Sequence, residues 1–178
     1  MDAKRNACRK RSKARNATRF GARIAALRIH VQEASEFEPV PSSRQLSGWL
    51  KRALKGVAHG ELSIRIVGED ESAALNERYR GRRGPTNVLS FAGTELPDGA
   101  GGEPRLLGDL VICAPVIARE ALEQCKSLDA HWAHIALHGA LHLLGYDHET
   151  DVEARRMERY EAELLAALGF DDPYADER

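Results

Sequence analysis

The chain has 178 residues, 43% of them hydrophobic and 30% charged, with a formal net charge of −1. That length is a prior for one domain with enough interior to fold without disulfides, and the composition excludes a disordered, collagen-like or membrane-embedded chain. No apolar run approaches the ~18 residues of a membrane span, and Cys8, Cys113 and Cys125 form no CxxC pair, which disfavours a disulfide framework or a Cys-rich zinc site and fits a reducing, cytoplasmic setting.

The overall charge hides an asymmetry. Residues 1–23 carry nine Lys and Arg against Asp2 alone, a segment charge of +8, so the remainder is acidic at −9. Residues 1–25 therefore read as a basic N-terminal extension: a solvated arm, an RNA-tethering arm, or an organelle transit segment, in that order of preference. No apolar core of a secretory signal follows the basic stretch. Residues 26–170 read as the globular domain and 171–178 as a C-terminal tail.

In chain order, Leu27 to Val31 alternates apolar and polar and predicts a first strand. After Pro39 and Pro41, Ser42 or Ser43 caps a helix to about Val57, with Leu46, Trp49, Leu50, Leu54 and Val57 on one stripe. Leu62, Ile64 and Ile66 mark a second strand over 61–67. Asp70 caps a helix through Tyr79 that buries Ala73, Ala74 and Leu75. Arg80-Gly81-Arg82-Arg83-Gly84-Pro85 is a basic loop, Asn87 to Phe91 a third strand, and the glycines and prolines of 93–104 a flexible loop. Leu106 to Cys113 is a fourth strand, interrupted at Gly108-Asp109. Pro115 suits the first turn of a helix ending near Cys125. Asp129 opens a helix to about Leu144 that Gly145 stops, and Thr150 or Asp151 caps a charged helix to Leu168. The order predicts an α+β single domain, about four strands in a mixed sheet with helices packed on it.

The chemistry concentrates between His131 and His148. His138 and His142 are four apart and share one helix face. That spacing lets two imidazoles meet one ion at the short distances zinc requires. Gly145 permits a sharp turn that swings His148 back as a third ligand. Three protein nitrogens leave the fourth tetrahedral position open for water, as in catalytic zinc sites. His131 and His134 lie on the same stripe nearer the helix start and are expected at the cleft rim, with contacts to the metal-binding histidines or to substrate as alternatives. The spacing is zincin-like: metzincin proteases carry H-E-x-x-H-x-x-G-x-x-H. Gly139 stands where they have the glutamate, so the protease base is missing. Asp109 either orients a histidine or caps the strand bend at Gly108. The last helix reads as a solvated, salt-bridged face.

Three blocks together resemble the YbeY family of bacterial endoribonucleases and ribosomal-RNA maturation factors: His131-Trp132-Ala133-His134 through His138 to His148; Tyr79-Arg80-Gly81 with Pro85 to Phe91; and Leu107 to Cys113. The resemblance spans about Leu27 to Gly169. The family usually has an acidic residue where Arg83 stands, and a proline where Ala92 stands. It has no counterpart to the basic segment before Leu27. The resemblance implies one zinc held by His138, His142 and His148, with Arg80 as the functionally important arginine. It also implies cleavage of single-stranded RNA, 3′-end maturation of 16S ribosomal RNA, and ribosome quality control beside the small subunit and its assembly proteins. Arg80 and His138 are then the expected catalytic residues, and Arg80, Arg82 and Arg83 the expected substrate contacts, since guanidinium donors match phosphate geometry. Two other functions share these residues: a metal hydrolase of another substrate class, and a ribosome assembly factor whose metal is mainly structural.

Overall fold

A computed structural model describes residues 26–93 and 105–175 of the chain. The basic extension, and all of the predicted 93–104 loop except Gly93, lie outside the described residues. Strands β1 (Arg28–Glu33), β2 (Glu61–Val67), β3 (Val88–Ala92) and β4 (Leu106–Cys113) and helices α1 (Ser43–Ala53), α2 (Glu69–Arg80), α3 (Ala114–Glu123), α4 (Leu128–Leu143) and α5 (Asp151–Leu168) follow one another in the order β1-α1-β2-α2-β3-β4-α3-α4-α5. The strands form one mixed sheet in the order β1-β2-β4-β3. β1, β2 and β4 run parallel, whereas β3 pairs antiparallel with β4, Val88 opposite Ile112 and Ala92 opposite Gly108. This is the α+β architecture the sequence predicts.

The sheet sorts its side chains by the two-residue alternation of strands. Leu62, Ile64, Ile66, Val88, Leu110 and Ile112 face one way, into a core shared with α1, α4 and α5. Val67, Leu89, Val111 and Cys113 face the other way and meet Val116, Leu75 and Phe91. The central strand β4 is therefore buried on both faces from Leu110 onward, and α4 fills the middle of the larger core. Trp132, Leu137 and Leu141 on α4 are fully buried, as expected of a helix that is apolar nearly all round.

Several local expectations change for physical reasons. The first helix stops at Ala53, and Val57 lies beyond a turn, 39% exposed. The second starts at Glu69 after Gly68, without a side-chain cap. Its buried residues are Ser72 and Asn76, with Leu75 half-buried against the smaller core and Ala74 exposed, because this face binds the following loop through hydrogen bonds. Ser72 Oγ donates to the Thr86 carbonyl at 2.9 Å and accepts from the Thr86 amide at 3.0 Å, while Asn76 Nδ2 donates to the Gly84 carbonyl at 2.9 Å. β4 is continuous through Gly108-Asp109. Gly108 adopts φ +141°, and a Cβ there would lie 2.2 Å from the Phe91 carbonyl oxygen, so the glycine permits the close strand approach rather than breaking the strand. Among the described residues no helix is long and apolar enough to cross a membrane.

Candidate metal centre and its cleft

α4 begins at Ser127, whose hydroxyl accepts from the Ala130 amide at 3.2 Å, and presses its Gly139 face on the sheet. A Cβ at position 139 would lie 2.9 Å from Leu110 Cδ2, 3.1 Å from Val88 Cγ2 and 3.3 Å from Ser90 Oγ. Position 139 thus points into the core between β3 and β4. The glutamate of the protease pattern has no room here, and its absence follows from the packing. The histidines occupy the adjacent stripe of the helix.

After α4 the chain reverses. Gly145 takes φ +87° and the Tyr146 amide donates back to the Leu141 carbonyl at 3.0 Å. The Tyr146 ring stacks on Tyr160 of α5 at 5.4 Å between centroids, with the Arg156 guanidinium over it at 5.7 Å. Thr150 and Glu153 then form a reciprocal capping box that starts α5. Between these two anchors His148 returns to α4. One nitrogen from each of His138, His142 and His148 lies within 4.8 Å of the others, and the Nε2 atoms of His138 and His142 are 3.2 Å apart. Ligands at zinc's bond lengths of 2.0–2.1 Å in a tetrahedron stand about 3.4 Å from one another, so the set fits a single small cation. Burial, reinforced by the neighbouring His138 and His148, lowers the His142 pKa and favours the neutral ring that a metal ligand needs.

Behind the triad lies a network that the sequence did not reveal. His138 Nδ1 donates to Glu161 Oε1 at 2.8 Å. The Tyr174 hydroxyl donates to Glu161 Oε2, which also lies 3.5 Å from His134 Nε2, and His134 Nε2 is 3.1 Å from the Tyr174 oxygen. Glu161 is 1% exposed. Burial alone would raise its pKa, but the hydrogen bonds from His134, His138 and Tyr174 outweigh this and hold it at about 2. One helical turn or two away, His131 Nε2 meets Glu120 Oε2 of α3 at 2.9 Å, and Asn87 Nδ2 donates to both Glu120 oxygens at 3.2 Å. His131 and His134 are therefore buried partners of carboxylates, not residues of an exposed rim. Asp109 is exposed on β4, and among the described residues no hydrogen bond joins it to a histidine.

These groups line a cleft of about 500 Å³ that runs from His138 past His134 and His131 to Asn87 and Glu120, with Pro173 and Tyr174 on one wall. The segment read as a tail thus contributes directly to the site. Glu161 had a sequence signal after all. It falls in the apolar stripe Met157, Leu164, Leu165 of α5, which is the buried face of that helix, and a carboxylate there needs a partner.

Arg80 is the last residue of α2, and Arg82 and Arg83 follow its Gly81 cap; all three are exposed. Tyr79 packs edge-on against Phe91 at 4.9 Å, and the loop returns through Thr86 to Asn87 at the cleft. Among the described residues no hydrogen bond or ion pair engages these three guanidinium groups. The histidines are brought together; the arginines border the loop that leads to them.

The sequence profile of the family described as "Endoribonuclease YbeY" matches residues 30–169. A protein named Endoribonuclease YbeY from Xanthomonas campestris is 56% identical over 142 residues, 78% of this chain and 88% of that one. Its namesake from Halorhodospira halophila is 54% identical over 149 residues, covering 83% and 94%. The namesake from Nitrosococcus oceani is 49% identical over 150 residues, covering 84% and 97%. The solution structure of TM1509 from Thermotoga maritima shares the fold, with a TM-score of 0.53 at 23% identity over 85% of this chain and 92% of that one. With a profile match across most of its length and relatives 49–56% identical, this chain belongs to the Endoribonuclease YbeY family.

Proposed function

We propose that the chain is a zinc-dependent endoribonuclease specific for single-stranded RNA, acting in the cytoplasm on the 3′ end of 16S ribosomal RNA and in ribosome quality control. The observation that carries the reading is the convergence of His138, His142 and His148 beside a polar cleft, in a family whose relatives are named for RNA cleavage. His138, His142 and His148 hold the ion, and His138 and Arg80 are the catalytic residues. A bound divalent ion would polarise a phosphoryl oxygen and bring the pKa of water toward neutrality. Arg80 stabilises the extra negative charge that develops on phosphorus, and Arg82 and Arg83 attract the neighbouring phosphates. The small ribosomal subunit and its assembly proteins are the partners that would deliver this substrate. In this reading residues 26–170 form the catalytic domain and residues 1–25 a basic arm.

The test is cleavage of single- and double-stranded RNA by purified protein as wild type, His142→Ala and Arg80→Ala. Single-stranded cleavage falls to background in His142→Ala and on the order of 10²-fold in Arg80→Ala, the usual cost of one charge-stabilising donor. Metal analysis of the active fraction identifies the ion. Activity that survives both substitutions refutes the assignment.

A further inference from the structure

We propose that Glu161 is a positioning residue of the metal centre, fixing the ring of His138, and that Tyr174 holds Glu161 in place. The inference rests on the three-histidine reading and adds a residue set to it.

The placement of Glu161 is costly without such a role. It stands in the buried stripe of α5 with Met157, Leu164 and Leu165, where an apolar side chain would pack with no charge to compensate. Instead both of its oxygens are engaged. Oε1 accepts from His138 Nδ1 at 2.8 Å, and Oε2 accepts from the Tyr174 hydroxyl. A carboxylate held at both oxygens cannot rotate. Because a carboxylate only accepts hydrogen bonds, Nδ1 of His138 carries the ring proton. In the neutral ring Nε2 is then the bare lone pair, and Nε2 is the atom that stands 3.2 Å from His142 Nε2. The carboxylate therefore selects the tautomer that can bind a cation and aims it at the shared point.

Tyr174 is itself anchored. Its amide donates to Asp172 Oδ1 at 2.9 Å, and Lys126 Nζ donates to the carbonyl of Pro173 at 2.9 Å. The C-terminal segment is thereby tied to the α3–α4 connection, and the phenol is delivered to Glu161. Among the described residues neither His142 nor His148 has a carboxylate hydrogen-bonded to its ring. His138 is the one of the three whose ring a carboxylate fixes.

Two measurements on the full-length protein test this. One is zinc affinity, by competition with a chromophoric chelator. The other is the tautomer of His138 in zinc-free, ¹⁵N-histidine-labelled protein, from long-range proton–nitrogen correlations. Glu161→Leu leaves Nδ1 of His138 without an acceptor, and is expected to bind zinc roughly 10- to 100-fold more weakly and to lose the uniform Nδ1–H form of His138. Tyr174→Phe keeps the His138–Glu161 contact, and its affinity falls about fivefold, the worth of one hydrogen bond. A folded Glu161→Leu protein with wild-type zinc affinity and an unchanged His138 tautomer overturns the proposal. If Glu161→Leu does not fold, the decision passes to Tyr174→Phe, where unchanged affinity overturns it. A wild-type protein that binds no zinc refutes the three-histidine reading instead, so the two failures are distinct.

Discussion

The packing of α4 on the sheet makes a quantitative prediction at Gly139. Replacing it with alanine has two opposed effects. Removing glycine from a helix interior stabilises by about 0.8–1 kcal/mol. The added methyl, however, enters a space bounded by Leu110 Cδ2 at 2.9 Å, Val88 Cγ2 at 3.1 Å and Ser90 Oγ at 3.3 Å. Leu110 is fully buried and Val88 nearly so, so the displaced methyls have only packed interior to move into, and overpacking of this kind costs about 1–3 kcal/mol. The second effect wins, leaving Gly139→Ala about 1 kcal/mol less stable, or roughly 2–4 °C in Tm for a chain of this size. Gly139→Glu, which would complete the protease pattern, meets the same contacts with a longer side chain and places a carboxylate against Leu110 and Val88. Its expected loss is more than about 4 kcal/mol. Thermal and urea denaturation of the three proteins measures both values. If Gly139→Ala is as stable as wild type or more so, α4 does not press on the sheet at this point. If Gly139→Glu folds and hydrolyses peptides, position 139 faces the cleft and the packing account is wrong.

Three further substitutions test other links. Ser72→Ala leaves the Thr86 amide and carbonyl without their shared hydroxyl partner; at a buried position this costs about 1–3 kcal/mol. The release of the arginine loop should appear as faster amide exchange across 81–87. Thr150→Ala removes the capping box of α5 and lowers stability by about 1 kcal/mol in denaturant titration. For Glu120, burial alone would raise the pKa, but the hydrogen bonds from His131 and Asn87 prevail and lower it. A carboxylate with a depressed folded pKa stabilises the fold above its unfolded value of about 4.3, and that stability is lost as pH falls through the folded value. The stability gap between wild type and Glu120→Gln should therefore be constant above about pH 5.5 and close in more acid solution, as followed by urea midpoints across pH; a gap that widens toward acid contradicts the sign.

The parts of this molecule that local rules govern were legible in the sequence. Strand alternation in Leu62, Ile64 and Ile66, the Thr150 cap and the Gly145 turn each depend on residues within a few positions of one another. The three-histidine cluster was legible for the same reason, since a helical turn and one glycine reversal bring its members together. The Glu161 network was not. Glu161 meets a histidine 23 positions away, and His134 meets a tyrosine 40 positions away, so the partners exist only after α5 has packed on α4. The misread second helix has the same cause. Its buried face is polar because it satisfies the backbone of the 84–86 loop, a demand that hydrophobic periodicity does not register.

The two carboxylates that meet the histidine stripe are both committed to the protein, Glu161 to His138, His134 and Tyr174, and Glu120 to His131 and Asn87. In the protease pattern the carboxylate sits one residue after the first histidine ligand and acts on water. Here that position is a glycine packed under Leu110, and the carboxylate comes from a different helix and faces the other nitrogen of the ligand. Placed there, the carboxylate would orient the His138 ring toward a bound ion and not act on water as the protease glutamate does. Glu120 lines the cleft but is paired there with His131 and Asn87, and the positive charge set beside it comes from a loop, Arg80 to Arg83, that no internal ion pair among the described residues neutralises. Both features suit a phosphodiester better than a peptide.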